Sequence, residues 1–239
     1  MVLSVLHFAH QKWAEDVLSR CGDMLANGSL TGAVQASLCV YDCSDEFLKA
    51  FCENWCPSIN TLIILQGELS ISLWDLLELG GLSVTGRLFD ELVPTAECLS
   101  QSLSDEVRIP ESCGFLLSGY HYLAAQSFDG RVSISAWMAF GTIFFGLTHP
   151  FDILWVGVDL EDEVYCAAFL ACWLCFFVLP VEPLDLIRSS VFNMASFIAN
   201  GLRVGLTSPV ASWIYKSLSQ ISLSDNPSAA PECFHAHSL

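Results

Sequence analysis

The sequence predicts an α+β fold that is predominantly α-helical, with one small β-hairpin at about residues 61–73 leading into a short capped helix. Three observations carry this. Apolar residues recur at helical spacing in segments from one end of the chain to the other. One stretch switches to a period of two, where Leu69, Ile71 and Leu73 alternate with Ser70 and Ser72 after a β-rich run from Thr61 to Leu65. Directly behind it, Ser72-Leu73-Trp74-Asp75 has the spacing of a capping box, in which the serine hydroxyl and the acid satisfy free amides at a helix start.

Taken in order, Ser4 to Ser19 reads as an amphipathic helix with Leu6, Ala9, Trp13 and Val17 on one stripe. Gly22, Asn27-Gly28 and Gly32 then predict a loop region. Ser44 is suited to cap a helix carrying Phe47, Leu48, Phe51 and Trp55 on its inner face. Cys56-Pro57-Ser58 breaks it, because proline lacks an amide proton and restricts the residue before it. In the hairpin, Gln66-Gly67-Glu68 is short enough to be the turn, with Gly67 able to take a positive φ. A helix through Leu76, Leu77 and Leu79 follows, stopped by Gly80-Gly81.

From Ser83 to Gly130, Pro94, Pro110 and Gly114 interrupt the pattern and no element is assigned. Ser133 to Leu147 predicts a helix closed by Pro150. Asp159 is expected to cap an apolar helix reaching Leu179, with Glu161, Asp162 and Glu163 in its first turn, where negative charge is favourable. Pro180-Val181-Glu182-Pro183 predicts an extended connection. Ser190 begins a helix with Val191, Met194, Ala195 and Ile198 inward, ended by Asn200-Gly201. Pro209 suits the first turn of a last helix bearing Val210, Trp213, Ile214 and Leu218. Composition then turns to Ser, Asn, Pro and Ala, so a body over residues 1–219 and a disordered tail over 220–239 are expected.

Hydrophobic residues make up 53% of the 239 residues, and the mean hydropathy is +0.51. That raises an integral membrane protein as an alternative. The best candidate span, 164–179, falls short of the roughly 20 residues a bilayer requires. It is flanked by acids, with Arg188 as the nearby cation, so topology-setting positive charge is lacking. Val132–Val158 is interrupted by Thr148-His149-Pro150 and Asp152. A helix apolar all round then reads as protein core, and no membrane is expected. Nine basic against 26 acidic residues give a formal charge of −17, without a Lys/Arg cluster to neutralise phosphates. Direct nucleic acid binding is not expected, whereas such acidity suits a basic partner. The eleven cysteines lie in apolar or helical settings behind an N-terminus with no basic start. Free thiols in an intracellular, reducing compartment follow.

Several blocks in one order resemble a known family. WCPSINT, GELSISLWDL, LGGLSVTG and LFDELVP are followed by EDEVYCAAFLACWLCFFVLP (161–180) and SSVFNMASFIANGLRVGL (189–206), with EDVLSRCGDML and YDCSDEFLKAFCENW upstream. From about Trp13 to about Ser219 the chain resembles the plant mobile domain, also called the aminotransferase-like plant mobile domain. The resemblance implies a transposon-derived nuclear protein linked to gene and transposon silencing, genome integrity and meristem maintenance. It implies protein partners, such as a phosphatase-like protein or basic chromatin proteins. It stops near IYKSL, so a C-terminally truncated member with an unrelated tail, DNPSAAPECFHAHSL, is expected.

The alternative family name suggests a pyridoxal-phosphate-type transferase, which needs a desolvated lysine and a phosphate cradle. Each lysine has a surface explanation. Lys49 lies between Glu46 and Glu53 at helical spacing, Lys12 has Asp16 four residues on, and Lys216 sits off the Trp213 stripe. Gly201-Leu202-Arg203-Val204-Gly205 follows a helix rather than a strand, so it is no phosphate loop. An enzyme is not expected, and no cofactor is assigned. Cys172 and Cys175 lie in an apolar helix without a second pair, and Cys56 of the Cys52/Cys56 pair precedes proline. Cys233, His235 and His237 could form only a weak, unselective metal site. His121 and His149 have no nucleophile motif around them, and Asp105-Glu106 needs no catalytic explanation. Trp55, Trp74, Trp137, Trp155, Trp173 and Trp213 read as core. No catalytic, cofactor or metal residue is nominated. Asn60, Gln66 and Glu68, polar residues around the hairpin, are the candidate partner-binding positions.

Overall fold

The computed structural model describes residues 2–39, 44–100, 108–141 and 156–223. Its elements in chain order are α1 (Val2–Arg20), α2 (Gly22–Asn27), α3 (Thr31–Ala36), α4 (Asp45–Glu53), β1 (Trp55–Cys56), β2 (Thr61–Ile64) and β3 (Gly67–Leu69). Then come α5 (Leu73–Gly80), β4 (Arg87–Leu88), α6 (Ala96–Ser100), α7 (Glu111–Gln126) and α8 (Ile134–Ala139). The last are α9 (Glu161–Trp173), α10 (Phe192–Ala199), β5 (Val204–Gly205) and α11 (Thr207–Ser222). The fold is the predicted one: α+β, dominated by helices, with a small antiparallel sheet.

Helix α9 is the axis. Its sequence is apolar on every side after the first turn, and every residue from Val164 to Trp173 is buried. It continues through one π-helical turn, Leu174–Val178, before Pro180 ends the run. Helices α1, α7, α8 and α10 pack around it. Trp13 of α1 meets Phe169 edge-on at 5.5 Å, and Trp137 of α8 stacks on Phe192 of α10 at 5.1 Å. The Trp137 indole N–H also donates to the Ala168 carbonyl at 3.0 Å, so its one polar atom is satisfied in the interior. Each such buried side chain contributes about 1.5–3 kcal/mol. Among the described residues, no helix is long and apolar enough to cross a membrane.

Several expectations are corrected. Asp159 does not cap α9: the 3₁₀ turn Val158–Leu160 runs straight into the helix, so Leu160 occupies the cap position and no side chain caps it. The predicted glycine-punctuated loop after α1 is two short helices, because Leu25, Leu30, Ala33 and Val34 are all buried and packing overrides weak propensity. The unassigned stretch contains the 16-residue α7. Its buried face includes Ser112, Cys113 and Gly119 beside Leu116, so small residues hide the apolar period. Helix α11 continues past 219 to Ser222. The predicted end of α8 near Leu147 and Pro150, Trp155, the Leu6 side chain and residues 224–239 lie outside the described residues.

The antiparallel sheet has the order β1-β2-β3, one strand more than a hairpin, and β4 and β5 form a separate parallel pair. Trp55 pairs with Leu62 and Cys56 with Thr61; Leu62 pairs with Leu69, Ile63 with Glu68 and Ile64 with Gly67. The turn is therefore Leu65-Gln66, and Gly67, at φ 135°, opens β3 instead of sitting within the turn. The strand ends at Leu69, so the alternation does not continue as β structure to Leu73, where the capping box from Ser72 starts the helix. Ser72 N–H donates to the Asp75 carboxylate at 2.7 Å and Asp75 N–H to the Ser72 hydroxyl at 3.2 Å, which makes Leu73 the first helical residue. The Ser72 amide and the Ser72 hydroxyl, each donating to the Asp75 carboxylate at 2.7 Å, hold that carboxyl below its usual range. Helix α5 ends as expected on Gly81, in the left-handed region at φ 63°. A Cβ there would stand 2.6 Å from the Ala33 amide nitrogen, so glycine is required.

Two apolar clusters result. The main one surrounds α9. A small satellite contains Cys52, Trp55, Leu218 and Ile221, with Leu48, Phe51, Leu62, Ile71, Ile214 and Tyr215 against it. Helix α11 serves both, with Val210 in the main cluster and Leu218 and Ile221 in the satellite.

Candidate interaction surface

The satellite's outer side is built by α4 and β2. Ser44 caps α4 as predicted, its hydroxyl accepting from Phe47 N–H at 3.3 Å, and Asp45 and Glu46 sit in the first turn. The helix ends at Glu53, so Trp55 is buried as expected but from β1. Asn54 closes the helix, and its carbonyl accepts from Ile63 N–H at 3.0 Å, tying β2 to the end of α4. An aromatic row runs outward from this junction: Tyr215 to Trp55 at 5.6 Å, Trp55 to Phe51 at 6.2 Å and Phe51 to Phe47 at 6.5 Å. The row leaves the protein before it ends. Phe47, expected on the inner face, is 72% exposed.

Between α4 and β2 lies a groove of about 560 Å³, lined by Phe47, Phe51, Asn54, Leu62, Leu65 and Gln66 among others. Leu65, at the hairpin tip, is fully exposed, and Ile63 is half exposed. The surrounding charges are mostly negative. From Ser44 to Ser72 they are Asp45, Glu46, Glu53 and Glu68 against Lys49, all of them exposed, with Lys49 to Glu53 at 3.9 Å.

The three nominated positions are not brought together. Gln66 lines this groove. Glu68 lies on β3 opposite Ile63, exposed beside it. Asn60 belongs elsewhere: with φ 53° it forms the turn before β2, its carbonyl accepts from the Ser70 hydroxyl at 3.1 Å, and it faces a second groove of about 420 Å³ with Ser208, Ser212, Tyr215 and Lys216. Phe47 and Leu65 were missed as surface residues. A leucine at the tip of a two-residue turn was the available signal, since little can cover a side chain there.

Lys12, Lys49 and Lys216 are all exposed. Asp16 does not pair with Lys12; it lies 3.7 Å from Arg20 and accepts from the Tyr165 hydroxyl. Cys172 and Cys175 are buried in the α9 run, where burial pushes their thiols up. Trp137 and Trp173 are core as expected and Trp213 is partly buried, but Trp74 is 66% exposed, because α5 turns its first residues to solvent. His121 is exposed. Cys233, His235, His237, His149 and Asp105-Glu106 lie outside the described residues. Among the described residues, no group of three or more His, Cys, Asp or Glu is placed to hold a metal ion.

A helical α+β body around one wholly buried helix, with a satellite sheet and an open apolar groove, is thus the class of protein described. The plant mobile domain family model matches residues 29–234, and the chain belongs to that family. The match runs beyond Ser219 into the segment read as an unrelated tail, so the family pattern does not stop at IYKSL. No curated protein and no solved structure matches the chain.

Proposed function

We propose that the chain is a non-enzymatic, transposon-derived interaction module of the plant mobile domain family, acting in the nucleus in gene and transposon silencing, genome integrity and meristem maintenance. The observation that carries the interaction reading is the α4–β2 groove, where Phe47, Ile63 and Leu65 stand exposed together on a chain with an ample core to hide them in. Family membership supports the nuclear and silencing parts of the reading. The partner is a phosphatase-like protein or a basic chromatin protein, and the formal charge of −17 suits the second. A pyridoxal enzyme is disfavoured by three lysines that are all exposed, since a Schiff-base lysine works from a desolvated site.

Proximity labelling of the tagged full chain in plant cells tests the proposal. Nuclear, silencing-associated neighbours are expected. Neighbours confined to another compartment, or a borohydride-fixed pyridoxal adduct on one lysine of the purified protein, would overturn it.

A further inference from the structure

Resting on the reading as an interaction module, we infer that the α4–β2 groove takes a basic amphipathic segment of a partner protein, its apolar side chains in the groove and its Lys or Arg side chains against the rim. The floor is apolar and the volume, about 560 Å³, lies within the range of known binding clefts. The walls carry the complementary charge. Glu46 and Glu53, seven residues apart, project from the same flank of α4, beside the Phe47 and Asn54 positions that line the groove. On the sheet side, Glu68 is paired across the ladder with Ile63 and shares its face. An occupant thus meets apolar surface between two acidic edges, and Lys49 is the one cation among the charged residues from Ser44 to Ser72.

That arrangement rejects the other occupants. A second copy would bring the same acids onto themselves, on chains that each carry −17. Nucleic acid and anionic lipid surfaces are repelled by the same edges. A purely polybasic segment would leave Phe47 and Leu65 wet. The rim charges are exposed, so their contribution is screened beyond about 8 Å at physiological salt, while the apolar part of the contact is not.

The test measures binding of three synthetic peptides to the full chain by fluorescence anisotropy. One has Leu and Phe at helical spacing flanked by Lys and Arg, the second has Glu in place of the basic residues, and the third is lysine-only. The first is expected to bind at least tenfold more tightly than the others and to weaken as salt rises. Phe47→Ser with Leu65→Ser should reduce that affinity at least tenfold with the thermal midpoint unchanged, and Glu68→Lys should do so without touching the apolar floor. Equal binding of the acidic peptide, no binding of any peptide, or affinity indifferent to both variants overturns the inference. So does a wild-type dimer in sedimentation that Leu65→Ser dissociates. The wider reading is judged separately: if the groove variant keeps every protein neighbour in cells, only this inference falls, and if the wild type has none, both do.

Discussion

Helices α9 and α4 use aromatic residues in opposite ways. Helix α9 has acids only in its first turn, and from Val164 onward its Phe, Trp, Cys and Ala side chains are buried without exception. Helix α4 mixes acids with aromatics and buries Cys52 alone. In the first case nothing is left for solvent or a partner. In the second the row Trp55, Phe51, Phe47 passes from buried through half-buried to open within one element and its continuation. The comparison separates apolar residues that specify the fold from apolar residues that the fold does not need.

Four measurements put that contrast to the test. Phe169→Ala, at the centre of α9, removes a fully buried ring and should cost about 3–5 kcal/mol in urea unfolding; a loss below about 1 kcal/mol would show that the axis is not packed as described. The second concerns His10, buried against Phe177 at 4.1 Å and Phe169 at 5.5 Å. Burial, with a smaller contribution from His7, lowers its pKa to about 3. The unfolded chain binds a proton at about pH 6.5 and the folded chain does not, so stability is full above that value. Below it, this group removes up to about 1.4 kcal/mol per pH unit until the folded pKa is reached. His10→Phe should flatten the difference in stability between pH 6.5 and pH 4.5, and an unchanged slope would remove His10 from the account.

Smaller effects belong to the satellite. Ser72→Ala removes the hydroxyl half of the capping box, leaving the Ser72 N–H to Asp75, and should cost about 1 kcal/mol, read from the denaturation midpoint. Phe47→Ser should leave stability within about 0.5 kcal/mol of wild type, because the ring is already in water. A larger loss would mean that Phe47 supports the satellite after all and that the two regions differ less than their exposures say.

Legibility from sequence followed the same division. The α9 run is readable as an unbroken apolar stretch behind an acidic first turn, α10 and α11 from apolar residues at helical spacing, and the capping box because its chemistry is local. Helix α7 was not readable, since Ser112, Cys113 and Gly119 fill its buried face and resemble breaks. The extent of β3 was misjudged because Leu69, Ile71 and Leu73 alternate like a strand while Ser72 is claimed by the cap. At the surface, Gln66 and Glu68 were readable as polar residues near a turn. Phe47 was not, because an apolar stripe tells where a helix wants cover and not how far that cover extends.

Helix α11 is one rigid rod with two neighbourhoods. Val210 is held in the large core, while Leu218 and Ile221 hold the satellite, together with the Trp55 indole N–H to Ser219 at 3.1 Å and the Ser222 hydroxyl to the Trp55 carbonyl at 3.2 Å. In hydrogen–deuterium exchange its amides should therefore divide partway along: those near Val210 exchanging at the slow pace of α9, those near Leu218 keeping time with Trp55 and Leu62. Anything seated between α4 and β2 would slow the second half of the rod alone, so the distal turns of this helix serve as a built-in gauge of occupancy.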